Sequence, residues 1–235
     1  MLNTAKEYFI DFFDLLYPHV CISCSQKLLK GEKIICFKCE NELPETHHWN
    51  NAENALMKRF WGRVDLKAAA ALFQFQKGEH VQHLLHQLKY RGRQDVGEYT
   101  GKRLGHLLRQ PTSTIKDVDL IVPVPLHWKK LKKRGYNQCD PFAKSLAETL
   151  DIEWSSTALE RIHENISQTK IRRFDRWSNV SEIFAVSDAE QLKNKHILLV
   201  DDVVTTGATA EACLKTILSV ENTKASFAAI AVALR

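Results

Sequence analysis

The sequence predicts an α/β fold: a mostly parallel sheet flanked by helices, preceded by a small four-cysteine module with an N-terminal helix. Three observations carry this reading. Short apolar runs alternate with helix-period patterns from residue 66 onward, as strands joined through helices do. Two CxxC pairs crowd four of the six cysteines between Cys21 and Cys39. The 235 residues are 44% hydrophobic and 26% charged, which suits one generous globular domain with an appendage.

Taken in order, residues 3–17 read as an amphipathic helix that Pro18 stops at Tyr17. The next stretch is short and turn-rich around Gly31, and the polar HHWNNAEN (47–54) reads as loop. The expected divisions are 1–48 for the helix and cysteine module, 49–65 for a linker, and 66–235 for the α/β domain. LKAAAALFQF (66–75) suits a buried strand, and HVQHLLHQLKY (80–90) aligns Val81, Leu84, Leu85 and Leu88 on one helical face. VGEYTGKRLGHLLRQ (96–110) is a second helix, and VDLIVPVP (118–125) a strand stopped by its prolines. NQCDPFAKSLAETL (137–150) is helical, with Cys139, Phe142, Ala143, Leu146 and Leu150 aligned. Residues 161–184 are polar and basic with little periodicity. HILLV (196–200) is a strand, TAEACLKTILSV (209–220) a helix, and SFAAIAVAL (226–234) a closing strand.

No apolar run approaches the length of a membrane span, so insertion is not expected. The apolar N-terminus carries Glu7, Asp11 and Asp14 and lacks a small-residue cleavage site, which argues against export and for the cytoplasm. A net charge of +5 is too mild to imply nucleic acid by itself.

The chemistry concentrates in ILLVDDVVTTGAT (197–209). In a parallel sheet, ligands bind where strands end and helices begin. Ile197–Val200 reads as a central strand with Asp201 and Asp202 emerging at its carboxyl edge, and no basic residue stands beside them in the sequence. Thr205, Thr206 and Gly207 form a turn, and a helix starts near Thr209. Its free N–H groups and dipole make a phosphate cradle, which Gly207 lets a ligand approach closely. Two carboxylates suit vicinal sugar hydroxyls, so sugar and phosphate together spell a ribose 5-phosphate. A blander reading gives Asp202 to the turn and Thr209 to the helix cap. It explains one acid, not two in succession after four apolar residues.

Cys21, Cys24, Cys36 and Cys39 form two thiolate knuckles, and two such turns give a tetrahedral S₄ site for structural zinc. All four positions are filled, so no place is left for a catalytic water. Four reduced structural thiols or a redox CxxC are the alternatives; a redox motif needs one pair rather than two. His47 and His48 are not required as ligands.

ILLVDDVVTTGAT resembles the phosphoribosyl pyrophosphate (PRPP) motif of type I phosphoribosyltransferases. IVPVPLHWKKLKKRGYNQ (121–138), the Gln168, Arg176, Asn179, Val180 and Phe184 pattern, and the early LYPHVCISC and CFKC segments resemble the ComF family over nearly the whole chain. Ile171 stands where that family often has Leu, and Cys139 where a small residue is usual. The resemblance implies a type I phosphoribosyltransferase-like fold behind a zinc-ribbon-like module. It further implies that Asp201 and Asp202 hold the ribose hydroxyls, that Thr205, Thr206, Gly207, Ala208 and Thr209 wrap the 5-phosphate, and that Mg²⁺ rides on the pyrophosphate and ribose oxygens. The acids are then expected to face sugar and metal rather than a basic side chain. A role in competence, the uptake of transforming DNA, beside a helicase-like partner, is implied as well.

KKLKKRG (129–135) and KIRRFDR (170–176) are the densest basic stretches, read as loops. Arg134, Arg173 and Arg176 are candidate clamps for departing pyrophosphate. Lys132, Lys133, Arg134, Tyr136 and Trp177, with Trp128, are equally suited to a single-stranded nucleic acid, through charge and ring stacking. LKYRGR (88–93) is a third candidate, through Lys89 and Arg91. A solvated charged face is the ordinary reading of any such run. His127 is more simply a hydrogen-bonded structural residue than a general base. Two functions therefore stand: a PRPP-dependent transferase or switch with an unnamed acceptor, and a non-catalytic single-stranded-DNA-binding adaptor on the same fold.

Overall fold

The computed structural model describes residues 19–77, 79–162 and 183–233. The helix expected over 3–17, and Gln168, Ile171, Arg173, Arg176, Trp177, Asn179 and Val180, lie outside the described residues.

Five strands form one parallel sheet in the order β1-β7-β6-β2-β3. They are β1 (Ala69–Phe75), β2 (Leu120–Pro123), β3 (Glu153–Trp154), β6 (His196–Val204) and β7 (Lys224–Ala233). A separate antiparallel pair joins β4 (Leu159–Arg161) to β5 (Phe184–Val186). The helices are α1 (Phe37–Glu42), α2 (Ala55–Lys58), α3 (His80–Tyr90), α4 (Gln94–Leu108), α5 (Trp128–Arg134), α6 (Cys139–Leu150) and α7 (Ala208–Leu218).

The central strands read as continuous apolar runs because both faces of the sheet are covered. One face, through Leu198, Val200, Ala228 and Ile230, packs on α3, α4 and α6. The other, through Ile197, Leu199, Phe227 and Ala229, packs on α2 and α7. The closest helix contact is α4 on α6. A Cβ added at Gly101 would lie 2.6 Å from the Phe142 carbonyl oxygen, so only glycine lets the two backbones approach this far.

Segment 49–65, expected as a linker, is packed into the domain. Trp49, Leu56 and Phe60 are buried, and Asn54 caps α2 by accepting from the Met57 N–H at 2.9 Å. Leu56 and Phe60 stand one helical turn apart, so both reach the α7 side of the core. The cysteine module likewise shares its core with the larger domain. Ile22, Leu28, Ile35 and Leu43 belong to the same buried cluster as the α3 face, so the module does not rely on an interior of its own. Residues 129–134, read as a basic loop, are helix α5. Lys, Leu and Arg are good helix formers, His127 caps the start and Gly135, at φ +83°, ends it.

Candidate functional site

Along the chain, β2 leads outward to β3, while β6 leads back to β7 on the other side. The strand order therefore reverses between β2 and β6, and the crevice at their carboxyl ends is where ligands bind in such sheets. Pairing of β6 with β2 stops at Val200, opposite Pro123. β6 itself runs on to Val204, held by β7 alone through Asp201, Val203 and Val204. The two acids are thus inside the strand rather than at its end, and they overhang the reversal point because β2 stops short.

Asp202 is buried and Asp201 half-buried. The Asp201 carboxylate accepts the Asp202 N–H at 2.8 Å and the Cys139 thiol at 3.6 Å. Burial, reinforced by Asp202, pushes the Asp201 carboxyl up to about 7, against the pull of the Asp202 N–H and of Lys89. Burial raises the Cys139 thiol well above its ordinary value, so it serves as donor and not as thiolate. The expectation that no basic side chain faces the acids is corrected: Lys89, from the end of α3, places its Nζ 2.7 Å from Asp202 Oδ1. Asp202 Oδ2 is buried and has no hydrogen-bond partner among the described residues.

The turn beyond the strand has the expected shape. Thr205 and Thr206 are exposed, and Gly207 sits at φ +82° as the N-cap of α7, which starts at Ala208 rather than Thr209. A left-handed N-cap favours glycine, and a Cβ there would meet the Phe60 ring at 3.5 Å. Two arginines that sequence reasoning passed over brace this turn from behind. Arg59 donates to the Thr205 carbonyl at 2.5 Å, and Arg63 donates to the Thr206 carbonyl at 3.5 Å while pairing with Glu211. The signal was present in LMKRFWGR, where Leu56, Arg59, Phe60 and Arg63 stand at i, i+3, i+4 and i+7, so that two buried apolar residues and two arginines share one side of a helical turn.

The basic candidates divide. Lys129, Lys130, Lys132 and Lys133 are exposed on α5, with Trp128 41% and Leu131 43% accessible. Arg134 is engaged, donating to Gln138 and lying 5.7 Å from the centre of the exposed Tyr90 ring. Tyr136 is half-buried and its hydroxyl donates to the Leu88 carbonyl. His127 Nδ1 accepts the Lys129 N–H at 3.2 Å, the capping role expected of a structural histidine. A surface hollow of about 550 Å³ lined by Val118, Asp119, Glu153 and Trp154 lies at the opposite, amino-terminal edge of the sheet, away from all of these groups.

In the cysteine module, the Cys24 and Cys36 sulfurs are 3.8 Å apart, and the ligand atoms of Cys21, Cys24, Cys36 and Cys39 all lie within 4.8 Å of one another. Sulfurs about 2.3 Å from a tetrahedral zinc would be about 3.8 Å apart, so the four fit such an ion. The Cys36 N–H points at Cys21 Sγ (3.4 Å) and the Cys39 N–H at Cys36 Sγ (3.5 Å). Burial resists ionisation of Cys21, but the N–H groups of Cys24, Cys36 and Ser23 prevail and bring it down to about 7. Burial and the neighbouring Cys24 and Cys36 thiols push Cys39 up. The module is tied to the domain by polar bonds as well. Ser23 Oγ and His80 Nδ1 are 2.5 Å apart, the His83 ring meets the Ser23 carbonyl at 3.1 Å, and Arg103 pairs with Glu40 and Glu45 at 2.7 Å each.

A family model described as the phosphoribosyl transferase domain matches residues 137–233, from the start of α6 through β7. Competence protein F of Haemophilus influenzae is 32% identical over 99 residues, 42% of this chain and 43% of its own. The DNA utilization protein YhgH of Escherichia coli K12 is 30% identical over 193 residues, 81% of this chain and 80% of its own. The chain belongs to the ComF family. A further ComF relative, competence protein ComFC of Bacillus subtilis, is 27% identical over 196 residues, 81% of this chain and 74% of its own. The ComF chain thus combines a type I phosphoribosyltransferase fold with an N-terminal four-cysteine cluster. In ComF terms, VPVP straddles the end of β2, GYNQ leads into α6, and VDDVVTTGAT spans the overhang of β6 and the first turn of α7. No described helix is long and apolar enough to cross a membrane.

Proposed function

We propose that this protein binds PRPP in the crevice between β2 and β6, and acts in the handling of incoming DNA during competence, on the cytoplasmic side. The observation that carries the first part is the pairing of two convergent carboxylates with a Thr-Thr-Gly turn at a helix N-terminus, its two threonines exposed. The buried, unpartnered Asp202 Oδ2 supports it, because a ribose hydroxyl would supply the missing donor. The 5-phosphate would lie against Thr205, Thr206, Gly207, Ala208 and Thr209, where N–H groups and the helix dipole favour an anion.

The carboxylate oxygens are hard donors that suit Mg²⁺ held through PRPP, and the ion's chemistry is to neutralise the pyrophosphate. In transfer, the bond from ribose C1 to a pyrophosphate oxygen breaks, a bond from C1 to the acceptor forms, and pyrophosphate leaves. This chain's part is to fix the ribose through Asp201 and Asp202 and to hold the 5-phosphate still. Arg134, Arg173 and Arg176 are the clamps proposed for the leaving pyrophosphate. Zinc is the metal proposed for the four cysteines. The DNA role rests on the names of the YhgH and competence relatives. A screen for pyrophosphate release from Mg–PRPP against nucleobases and other amines tests transfer; release above the level of a Thr206→Val variant supports it.

A second reading, an adaptor for single-stranded DNA, is favoured by α5. Its four exposed lysines and accessible Trp128 offer charge and a stacking ring, with Lys132 and Lys133 central to the footprint. A helicase-like translocase is the proposed partner in that role.

A further inference from the structure

The Lys89–Asp202 pair is a feature of the crevice that the phosphoribosyl motif does not explain. We propose that Lys89 is a substrate-positioning residue: it holds one oxygen of Asp202 so that the other is presented to the ribose, and it fixes a positive charge beside the two acids. This rests on the PRPP reading above.

Lys89 Nζ is 2.7 Å from Asp202 Oδ1, with the side chains only 20% and 4% accessible. A pair so enclosed holds one geometry, unlike a surface ion pair that samples many. Fixing Oδ1 leaves Oδ2 buried and unpartnered, the state of an acceptor kept for a ligand. The placement of Lys89 is rigid because α3 is held at both ends. Its first turn meets the cysteine module through His80 and His83 on Ser23, and near its last turn the Leu88 carbonyl accepts the Tyr136 hydroxyl. Between them Val81, Leu84, Leu85 and Leu88 are buried against the sheet.

The test is calorimetric titration of Mg–PRPP into wild type, Lys89→Met and Lys89→Arg. Lys89→Met should weaken binding on the order of ten- to a hundredfold. Lys89→Arg keeps the charge and should restore most of that loss. Equal or tighter binding by Lys89→Met, or an equal loss in both variants, overturns the inference while the PRPP reading survives. A wild type that does not bind removes both. Reductive methylation read by peptide mass analysis needs no Lys89 variant and covers the case in which Lys89→Met does not fold. Asp202→Asn should raise modification of Lys89 severalfold over wild type, and equal rates would show that Asp202 does not hold it.

Discussion

Arg59 donates to the carbonyl of Thr205 at 2.5 Å, across 146 positions of sequence. The same guanidinium reaches the Ala233 carbonyl at the end of β7. One side chain from the segment before the sheet therefore fastens the Thr205–Gly207 turn to its neighbouring strand.

If that fastening shapes the turn, Arg59→Met should weaken Mg–PRPP binding by roughly tenfold, the worth of one charge-assisted hydrogen bond. Stability should fall less, since the turn is on the surface. Calorimetry beside a melting curve separates the two effects. Unchanged affinity with a lowered melting temperature would assign Arg59 to stability alone.

Zinc should be present at about one per chain, the stoichiometry of a Cys₄ site. Cys36→Ser should lose the metal. Because Ser23 holds His80 and His83, amide exchange should rise in the first turn of α3 as well as in residues 19–45. Reduced, folded protein free of metal on elemental analysis would exclude the site.

Asp201 makes the empty protein sensitive to pH. Burial and Asp202 push its carboxyl from the ordinary 3.8 up to about 7. The folded chain thus holds this proton more tightly than the unfolded one. The stability this contributes is complete in acid, below the ordinary carboxylate value, and is lost as pH rises through about 7. Asp201→Asn removes the loss, so its melting temperature should match wild type in acid and exceed it above neutrality. An offset that does not change with pH would contradict this.

The contact of α4 with α6 sets the position of Cys139 and the first turn of α6. Gly101→Ala would force a methyl to 2.6 Å from the Phe142 carbonyl oxygen. It should cost about 1–3 kcal/mol, lowering the melting temperature by about 2–4 °C for each. A melt indistinguishable from wild type would mean that the helices separate without penalty.

Single-stranded DNA, if it uses α5, should bind weakly, with little sequence preference and a steep salt dependence. Lys132→Glu with Lys133→Glu should weaken it on the order of tenfold at low salt. Arg134 is spared in this variant because it is tied to Gln138 and Tyr90. Equal binding by the variant would remove α5 from the footprint.

Much of the fold was legible because period and burial agree. Val81, Leu84, Leu85 and Leu88 spell the α3 face, and the apolar run before Asp201 spells a strand covered on both sides. The motif residues 201–209 were legible as a unit because strand, turn and helix start are consecutive. What could not be read was what distant segments bring to them. Lys89 stands on another helix, and nothing local ties it to Asp202. Arg59 and Arg63 sit beyond HHWNNAEN, whose polarity suggested a linker and hid the amphipathic turn that follows. In α5 the density of charge drew attention from the helix propensity of the same residues.

The central claim is that Asp201 and Asp202 hold the ribose of PRPP, and calorimetric titration of Mg–PRPP tests it most directly. Wild type should bind, and Asp201→Asn with Asp202→Asn should bind far more weakly while still melting cooperatively. Each lost charged acceptor should cost roughly 1.5–3 kcal/mol, on the order of ten- to a hundredfold in Kd. Wild-type protein that ignores millimolar PRPP in the presence of magnesium would contradict the claim and leave the adaptor reading in its place.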